Sequence, residues 1–347
     1  MQDLKSLNFE ELSQALTEMG EKAFRAKQVY QWFHEKLADT PQDMRNLPNA
    51  LKERLMQEYT CTDLKIVEVL TSKNDGTQKF LFQLADGNVI ESVLMRYHHG
   101  NSVCISSQVG CRMGCRFCAS TIGGWTRNLL PGEMLDQIYK IQKHSGERVS
   151  NIVVMGTGEP LDNYDNLLQF IRMLSDEKGL HISQRNITVS TCGIVPRIYD
   201  LAEEHLAITL ALSLHASTQQ KRTELMPIAL KYDLSEVLDA CRHYFEKTGR
   251  RMTFEYSLVG GVNDTDDDVR RLAELIGDMN CHVNLIPVNP IQERDFVQSK
   301  RQVVERFQHK LERAGVTATI RRTLGEDVNA SCGQLRKRYM DQASSEA

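Results

Sequence analysis

The sequence predicts an α/β protein: an incomplete (β/α)6 barrel preceded by an N-terminal helical domain and a short β meander. Three observations predict it. From about residue 102 onward, six short segments rich in apolar and β-branched residues alternate with stretches of helical periodicity. Residues 8 to 60 carry helical spacing alone, and residues 64 to 96 alternate around two turn signals. The expected organisation is a helical accessory domain over 1–62, a meander linker over 63–96, a core partial barrel over 97–325, and a C-terminal loop and tail over 326–347.

In the first segment Phe9, Leu12, Ala15, Leu16 and Met19 fall near helical spacing, with Asn8 suited to cap the start and Gly20 to end it. A second helix is expected over Ala26 to Leu37, with Val29, Trp32 and Phe33 on its apolar face. Pro41 and Pro48 punctuate the approach to a third, Ala50 to Tyr59. In the meander, N-D-G at Asn74 to Gly76 and D-G at Asp86 to Gly87 mark the turns.

The barrel strands are S-V-C-I-S-S, N-I-V-V-M-G, N-I-T-V-S-T, A-I-T-L-A-L-S-L-H, M-T-F-E-Y-S-L-V and H-V-N-L-I-P-V. Helices between them include Pro131 to Lys143, Leu234 to Lys247, Asp266 to Met279 and Arg301 to Ala314. Six β/α units in about 200 residues suit an incomplete barrel better than a closed eightfold one. In such sheets ligands gather at the carboxyl ends of the strands.

Composition narrows the class. With 41% hydrophobic and 25% charged residues and few prolines, the chain reads as globular. No apolar run approaches bilayer length and the opening residues lack a signal-peptide layout, so a cytoplasmic protein without membrane partners is expected. In that reducing compartment nine cysteines suit metal ligation, reactive thiols or core packing better than a disulfide framework. The net charge of −4 is unevenly spread: residues 95 to 150 hold seven Lys and Arg against three Asp and Glu, and residues 300 to 338 hold ten against four. Local binding of nucleic acid and a pair of solvated basic helices both fit that pattern.

Just after the first barrel strand stands C-R-M-G-C-R-F-C, placing Cys111, Cys115 and Cys118 on one glycine-containing loop. Three neighbouring thiolates can hold an iron-sulfur cubane and leave one iron without a protein ligand. A zinc site would be closed by a fourth Cys or His, and no second C-x-x-C occurs. Chance clustering of core cysteines is the remaining alternative. M-G-T-G-E-P at Met155 to Pro160 ends the second barrel strand with a glycine turn and a carboxylate suited to an ammonium group.

The C-x-x-x-C-x-x-C spacing, with Phe117 before its last cysteine, resembles the signature of the radical S-adenosylmethionine superfamily. That resemblance implies a 4Fe-4S cluster on Cys111, Cys115 and Cys118, whose open iron binds S-adenosylmethionine and whose electron cleaves it to methionine and a 5′-deoxyadenosyl radical. Farther along, G-E-D-V-N-A-S-C-G-Q-L places Cys332 in a small-residue loop. Together with C-I-S-S-Q-V-G-C at Cys104 to Cys111, M-G-T-G-E-P-L, L-S-L-H and N-L-I-P-V-N-P, it makes nearly the whole chain resemble the RlmN family of RNA adenine C2-methyltransferases.

The resemblance implies methylation at C2 of one adenosine in 23S rRNA and of adenosine 37 in tRNA, with two S-adenosylmethionine molecules per turnover. C2 is electron-poor and resists ordinary methyl transfer. By the same resemblance Cys332 takes a methyl group as a thiolate, a hydrogen is removed from that methyl, and the resulting carbon radical adds to C2. Glu91 then removes the C2 proton, and Cys104 cuts the enzyme-RNA link, leaving a transient disulfide with Cys332 that cytosolic reductants reset. Read without the family, Glu91 is a surface strand glutamate and Cys104 a buried strand cysteine. Gly158, Glu159, Ser190, Ser213, Leu214, His215 and Asn289 are implied to contact S-adenosylmethionine, and an electron donor such as flavodoxin and a monomeric state are expected. Cys61, Cys192, Cys241 and Cys281 match no motif and read as packing residues.

Departures are few. Thr157 stands where many members carry Met, and Pro160 favours the C2 enzymes over the related Cfr family, which methylates C8 of the same rRNA adenosine. Residues 1 to 60 hold eight basic against ten acidic side chains, so an RNA grip there would rest on shape or on a strip such as Lys22, Arg25 and Lys27. Simple packing of this domain on the barrel, a radical enzyme acting on another substrate, and a zinc RNA-binding module are the other readings.

Overall fold

The computed structural model describes residues 1–289, 293–328 and 330. Helix α1 (Phe9–Glu18) starts where expected, because Asn8 Oδ1 accepts the Glu11 N–H at 2.9 Å while the Glu11 carboxylate accepts the Asn8 N–H at 2.9 Å. This reciprocal cap satisfies two donors that a bare helix end would leave open. The chain turns out of the helix at Gly20, whose φ of 78° is the left-handed region. Helices α2 (Phe24–His34) and α3 (Asn49–Glu58) complete the segment.

Four antiparallel strands follow, β1 (Lys65–Thr71), β2 (Gln78–Gln83), β3 (Val89–Tyr97) and β4 (Gly100–Cys104). A small hairpin of β5 (Gln108–Gly110) and β6 (Trp125–Asn128) stands apart from the main sheet. Beyond it come β7 (Val149–Val154), β8 (Ile187–Thr191), β9 (Thr209–Ser213), β10 (Met252–Leu258), β11 (Cys281–Pro287) and β12 (Ala318–Ile320). The main sheet has ten strands in the order β1-β2-β3-β4-β7-β8-β9-β10-β11-β12. From β4 onward every pairing is parallel.

The six expected barrel strands are thus β4 and β7 to β11, and the three-residue β12 adds a seventh parallel strand. The meander is continuous with the barrel, because β3 pairs with β4 through Val93 and Cys104. The helices α4 (Pro131–Ser145), α5 (Tyr164–Ser175), α6 (Val195–Glu203), α8 (Leu234–Thr248), α9 (Asp266–Ile276) and α10 (Arg301–Arg313) join successive parallel strands, with a short α7 (Gln219–Leu225) inserted before α8. Helices over the outer face and side chains filling the inner one bury all seven residues of β10.

The helical segment docks on α4 and shares one hydrophobic core with the barrel. Lys5 Nζ lies 2.7 Å from Asp136, Lys140 Nζ lies 2.7 Å from Asp39 and 2.5 Å from Asp63, and His34 Nδ1 lies 2.8 Å from the Tyr139 hydroxyl. At the far rim, the β1–β2 turn clasps the chain that follows β12. The Lys73 N–H donates to Asp327 at 2.9 Å, and the Gly325 N–H donates to Asp75 at 2.9 Å. Among the described residues no helix is long and apolar enough to cross a membrane.

Candidate active site

The carboxyl ends of the parallel strands open into one cavity, as the architecture requires. Its wall includes Glu91, Cys104, Cys111, Cys115, Cys118, Gly158, Glu159, Ser190, Ser213, His215 and Asn289. Leu214 is fully buried and does not line it; its N–H donates to the Glu255 carbonyl at 3.0 Å. Cys332 lies outside the described residues.

The three-cysteine loop hangs from the β5–β6 hairpin. Its backbone is fixed at several points: the Cys111 N–H donates to Gly124, the Arg116 N–H to Leu225, and the Thr121 hydroxyl to the carbonyls of Cys115 and Cys118. Burial pushes the Cys111 thiol up to about 12 and the Cys115 thiol well above its ordinary value. A thiolate in that apolar setting therefore needs a cation beside it. All three thiols face the same cavity from one loop. Three thiolates are a donor set that fits an iron-sulfur group.

The glycine turn after β7 lies hard against the chain leaving β4. A Cβ on Gly156 would stand 2.6 Å from the Ile105 carbonyl oxygen, and one on Gly158 would stand 2.7 Å from Ser107 Oγ and 2.8 Å from the Gln108 nitrogen. Gly158 also has a φ of 117°, so glycine is required there twice over. Ser106 ties this turn to β3: its hydroxyl donates to the Glu91 carbonyl at 2.7 Å and accepts the Thr157 N–H at 3.0 Å. The buried Glu159 carboxylate accepts the N–H groups of Leu161 at 3.0 Å and Cys192 at 2.7 Å. Burial raises its pKa, and those donors oppose the rise.

Across the cavity, Ser190 and Ser213 bring their hydroxyls within 3.4 Å on adjacent strands. His215 has a left-handed φ of 53° and accepts the Ser257 N–H on Nδ1 at 2.9 Å. Burial, and secondarily Arg222, pushes its imidazole down to about 3, so the ring is neutral at physiological pH. Phe117 meets it edge-on at 4.6 Å between ring centres, joining the cysteine loop to the β9 end.

Glu91, Val93 and Met95 alternate along β3 and reach the same cavity as Cys104, the residue paired with Val93. The Glu91 side chain is 7% exposed and meets Lys79 Nζ at 3.5 Å. Lys79 was invisible as a site residue in the sequence, as was Arg222. Cys192, read from sequence as packing, lines the same cavity as Cys111, Cys115 and Cys118. So does Glu255, whose carboxyl pKa is raised by burial against the pull of Arg321, 3.8 Å away.

This arrangement has close counterparts. The radical SAM superfamily model matches residues 105–276, and the ribosomal RNA large subunit methyltransferase N-terminal domain model matches residues 2–61. A protein of Lachnospira eligens named "Probable dual-specificity RNA methyltransferase RlmN" is 61% identical over 98% of this chain and 97% of its own length. A protein of the same name from Lachnoclostridium phytofermentans is 60% identical over 98% of this chain and 95% of its own. The crystal structure of a radical SAM methyltransferase from Sphaerobacter thermophilus superposes with a TM-score of 0.92 at 40% identity, covering 96% of this chain and 99% of that one.

Proposed function

The chain belongs to the RlmN family of radical S-adenosylmethionine RNA methyltransferases, and on that premise we propose that it methylates C2 of a specific adenosine in 23S rRNA and of adenosine 37 in tRNA, through a methyl group first carried by Cys332. The observation that carries the reading is the common cavity. Glu91 and Cys104 come from the antiparallel side of the sheet, and the cysteine loop and glycine turn come from the parallel side.

Cys111, Cys115 and Cys118 would hold the 4Fe-4S cluster. When bound, that cluster supplies the electron for reductive cleavage of S-adenosylmethionine. Gly158, Glu159, Ser190, Ser213, His215 and Asn289 would bind and orient that cosubstrate, with Leu214 packed behind the wall. The Glu159 carboxylate, already holding two backbone N–H groups, braces the glycine turn while presenting charge to the cavity. The neutral His215 ring adds a polar contact without adding positive charge next to a sulfonium ligand.

The target adenine enters between β3 and the cysteine loop. The Glu91 carboxylate takes the proton from C2, and the Lys79 ammonium, 3.5 Å away, holds that carboxylate in place. The Cys104 thiolate attacks the sulfur of Cys332 and the carbon–sulfur bond breaks with its electron pair moving to the base, whose methylene carbon then takes a proton to become the methyl group; the disulfide left behind is reduced by cytosolic thiols. Two S-adenosylmethionine molecules are used per turnover, one for the methyl group and one for the radical. The electrons come from a donor such as flavodoxin, and the enzyme works as a monomer.

Mass spectrometry of nucleosides from rRNA and tRNA, after anaerobic incubation with the reduced enzyme, tests the reading. 2-Methyladenosine in both RNAs is the expected product. 8-Methyladenosine would assign the chain to the C8 chemistry of Cfr, and unmodified RNA despite 5′-deoxyadenosine release would redirect it to another substrate. Separately, Cys118→Ala should lose both the brown chromophore and all cleavage of S-adenosylmethionine.

A further inference from the structure

Arg222 on α7 is the only described arginine whose side chain is wholly removed from solvent, at 0% exposure. One of its nitrogens, Nη2, donates to the Cys192 carbonyl at 2.7 Å. Its other two, Nε and Nη1, are buried with no hydrogen-bond partner. Among the described residues no carboxylate pairs with it. An isolated guanidinium in an apolar interior is costly by several kcal/mol, and proteins tolerate one only where a counter-charge is supplied.

Its surroundings indicate where that charge comes from. Cys115, Cys192, Leu225 and Met226 form an apolar cluster against which Met113, Phe117 and Cys118 pack. The Arg116 N–H donates to the Leu225 carbonyl at 2.9 Å, and Gly114 abuts the Pro227 ring, so the cysteine loop is seated on the helix that carries Arg222. Cys192, Cys115 and Cys241 are the groups whose charge would act on the guanidinium; burial keeps the Cys192 and Cys241 thiols protonated, which leaves Cys115, one of the three cluster ligands, as the source of negative charge. A cubane on three thiolates carries net negative charge that deepens on reduction.

We propose that Arg222 is the buried counter-cation of the iron-sulfur cluster, favouring its reduced form and thereby setting the reducing power available for cleavage of S-adenosylmethionine. The inference rests on the assignment of the cluster to Cys111, Cys115 and Cys118. It gives α7 a role in the redox step although Arg222 is not among the residues that line the cavity.

The test is an anaerobic redox titration of the reconstituted full chain, following the electron paramagnetic resonance signal of the reduced cluster. Arg222→Gln should lower the reduced-to-oxidised ratio at a fixed poise at least tenfold, about 59 mV for a one-electron couple. Arg222→Lys, which keeps the charge, should stay within about threefold of the parent. An Arg222→Gln cluster that loads fully and titrates with the parent overturns the inference alone. A parent chain that takes up no iron-sulfur chromophore overturns it together with the cluster assignment.

Thermal unfolding of the apoproteins separates a packing role. Removing an uncompensated buried charge should leave apo Arg222→Gln melting at or above the parent, so failure of that stable variant to retain a cluster supports the proposal. A lower apo melting temperature with failed loading marks Arg222 as a folding residue and overturns it.

Discussion

The Lys79 ammonium stands 3.5 Å from the Glu91 carboxylate, with the two side chains only 1% and 7% exposed. They lie on adjacent antiparallel strands, and Glu91 faces the cavity that Cys111, Cys115 and Cys118 also line. A buried ion pair of this kind is sensitive to the loss of either member. Lys79→Met should therefore reduce RNA methylation by more than about tenfold while 5′-deoxyadenosine formation continues. Parallel quantification of methylated nucleoside and 5′-deoxyadenosine checks this, and an equal fall in both would place Lys79 in general folding rather than at the base.

The steric demand at Gly158 gives a second expectation. Gly158→Ala forces a Cβ to within 2.8 Å of Ser107 and Gln108 at a φ of 117°, a conformation that costs roughly 1–3 kcal/mol for a residue other than glycine. The turn should shift, and S-adenosylmethionine affinity should fall about tenfold or more. Gly123→Ala, where nothing lies within 4 Å of the new atom, is the matched control and should bind normally. Equilibrium dialysis with labelled cosubstrate measures both.

Docking of the helical segment rests partly on Lys5 and Asp136, 2.7 Å apart with side chains 0% and 1% exposed. Lys5→Met alone should destabilise the protein by about 3–5 kcal/mol, because it strands a buried carboxylate. The double change Lys5→Met with Asp136→Leu should recover a good part of that loss. Urea denaturation of the single and double variants decides whether the two changes are coupled in this way.

His34 makes stability depend on pH. Burial, and secondarily Lys5, pushes its folded pKa down to about 3 from an ordinary 6.5. The unfolded chain binds the proton first on acidification, so this contribution is complete above 6.5 and is lost as the pH falls toward 3. The slope approaches about 1.4 kcal/mol per pH unit. His34→Asn should show a shallower decline between about pH 7 and about pH 5 by roughly 1–2 kcal/mol in urea titrations. Identical slopes for parent and variant would count against a buried neutral imidazole.

Local signals were readable in the sequence. Asn8 and Glu11 sit at capping-box spacing, so the start of α1 was fixed by four consecutive residues. The β10 and β11 segments were dense enough in apolar residues to stand out, and the cysteine loop announced itself by spacing. Lys79 was hidden because one charged residue in Q-K-F-L-F-Q reads as solvent-facing; only the pairing of β2 with β3 places it against Glu91. Arg222 was hidden for a similar reason, since Q-Q-K-R-T-E-L resembles a solvated helical turn and its burial depends on what packs over it. The β12 strand has three residues, too few for any period to emerge.

The clasp between the β1–β2 turn and the chain after β12 has a mechanical consequence for Cys332. Ala330, whose N–H donates to the carbonyl of the clasped Gly325 at 3.0 Å, is the last described residue before that thiol, two residues upstream. Two residues of fully stretched chain span at most roughly 7 Å. On the proposed reading, the sulfur that would carry the methyl group is bound by contour length alone to a peg that the β1–β2 turn holds at the sheet's antiparallel edge. Lengthening the tether between Ala330 and Cys332 would dilute the thiol over a larger volume, whereas extra residues beyond Cys332 would leave its radius of action unchanged.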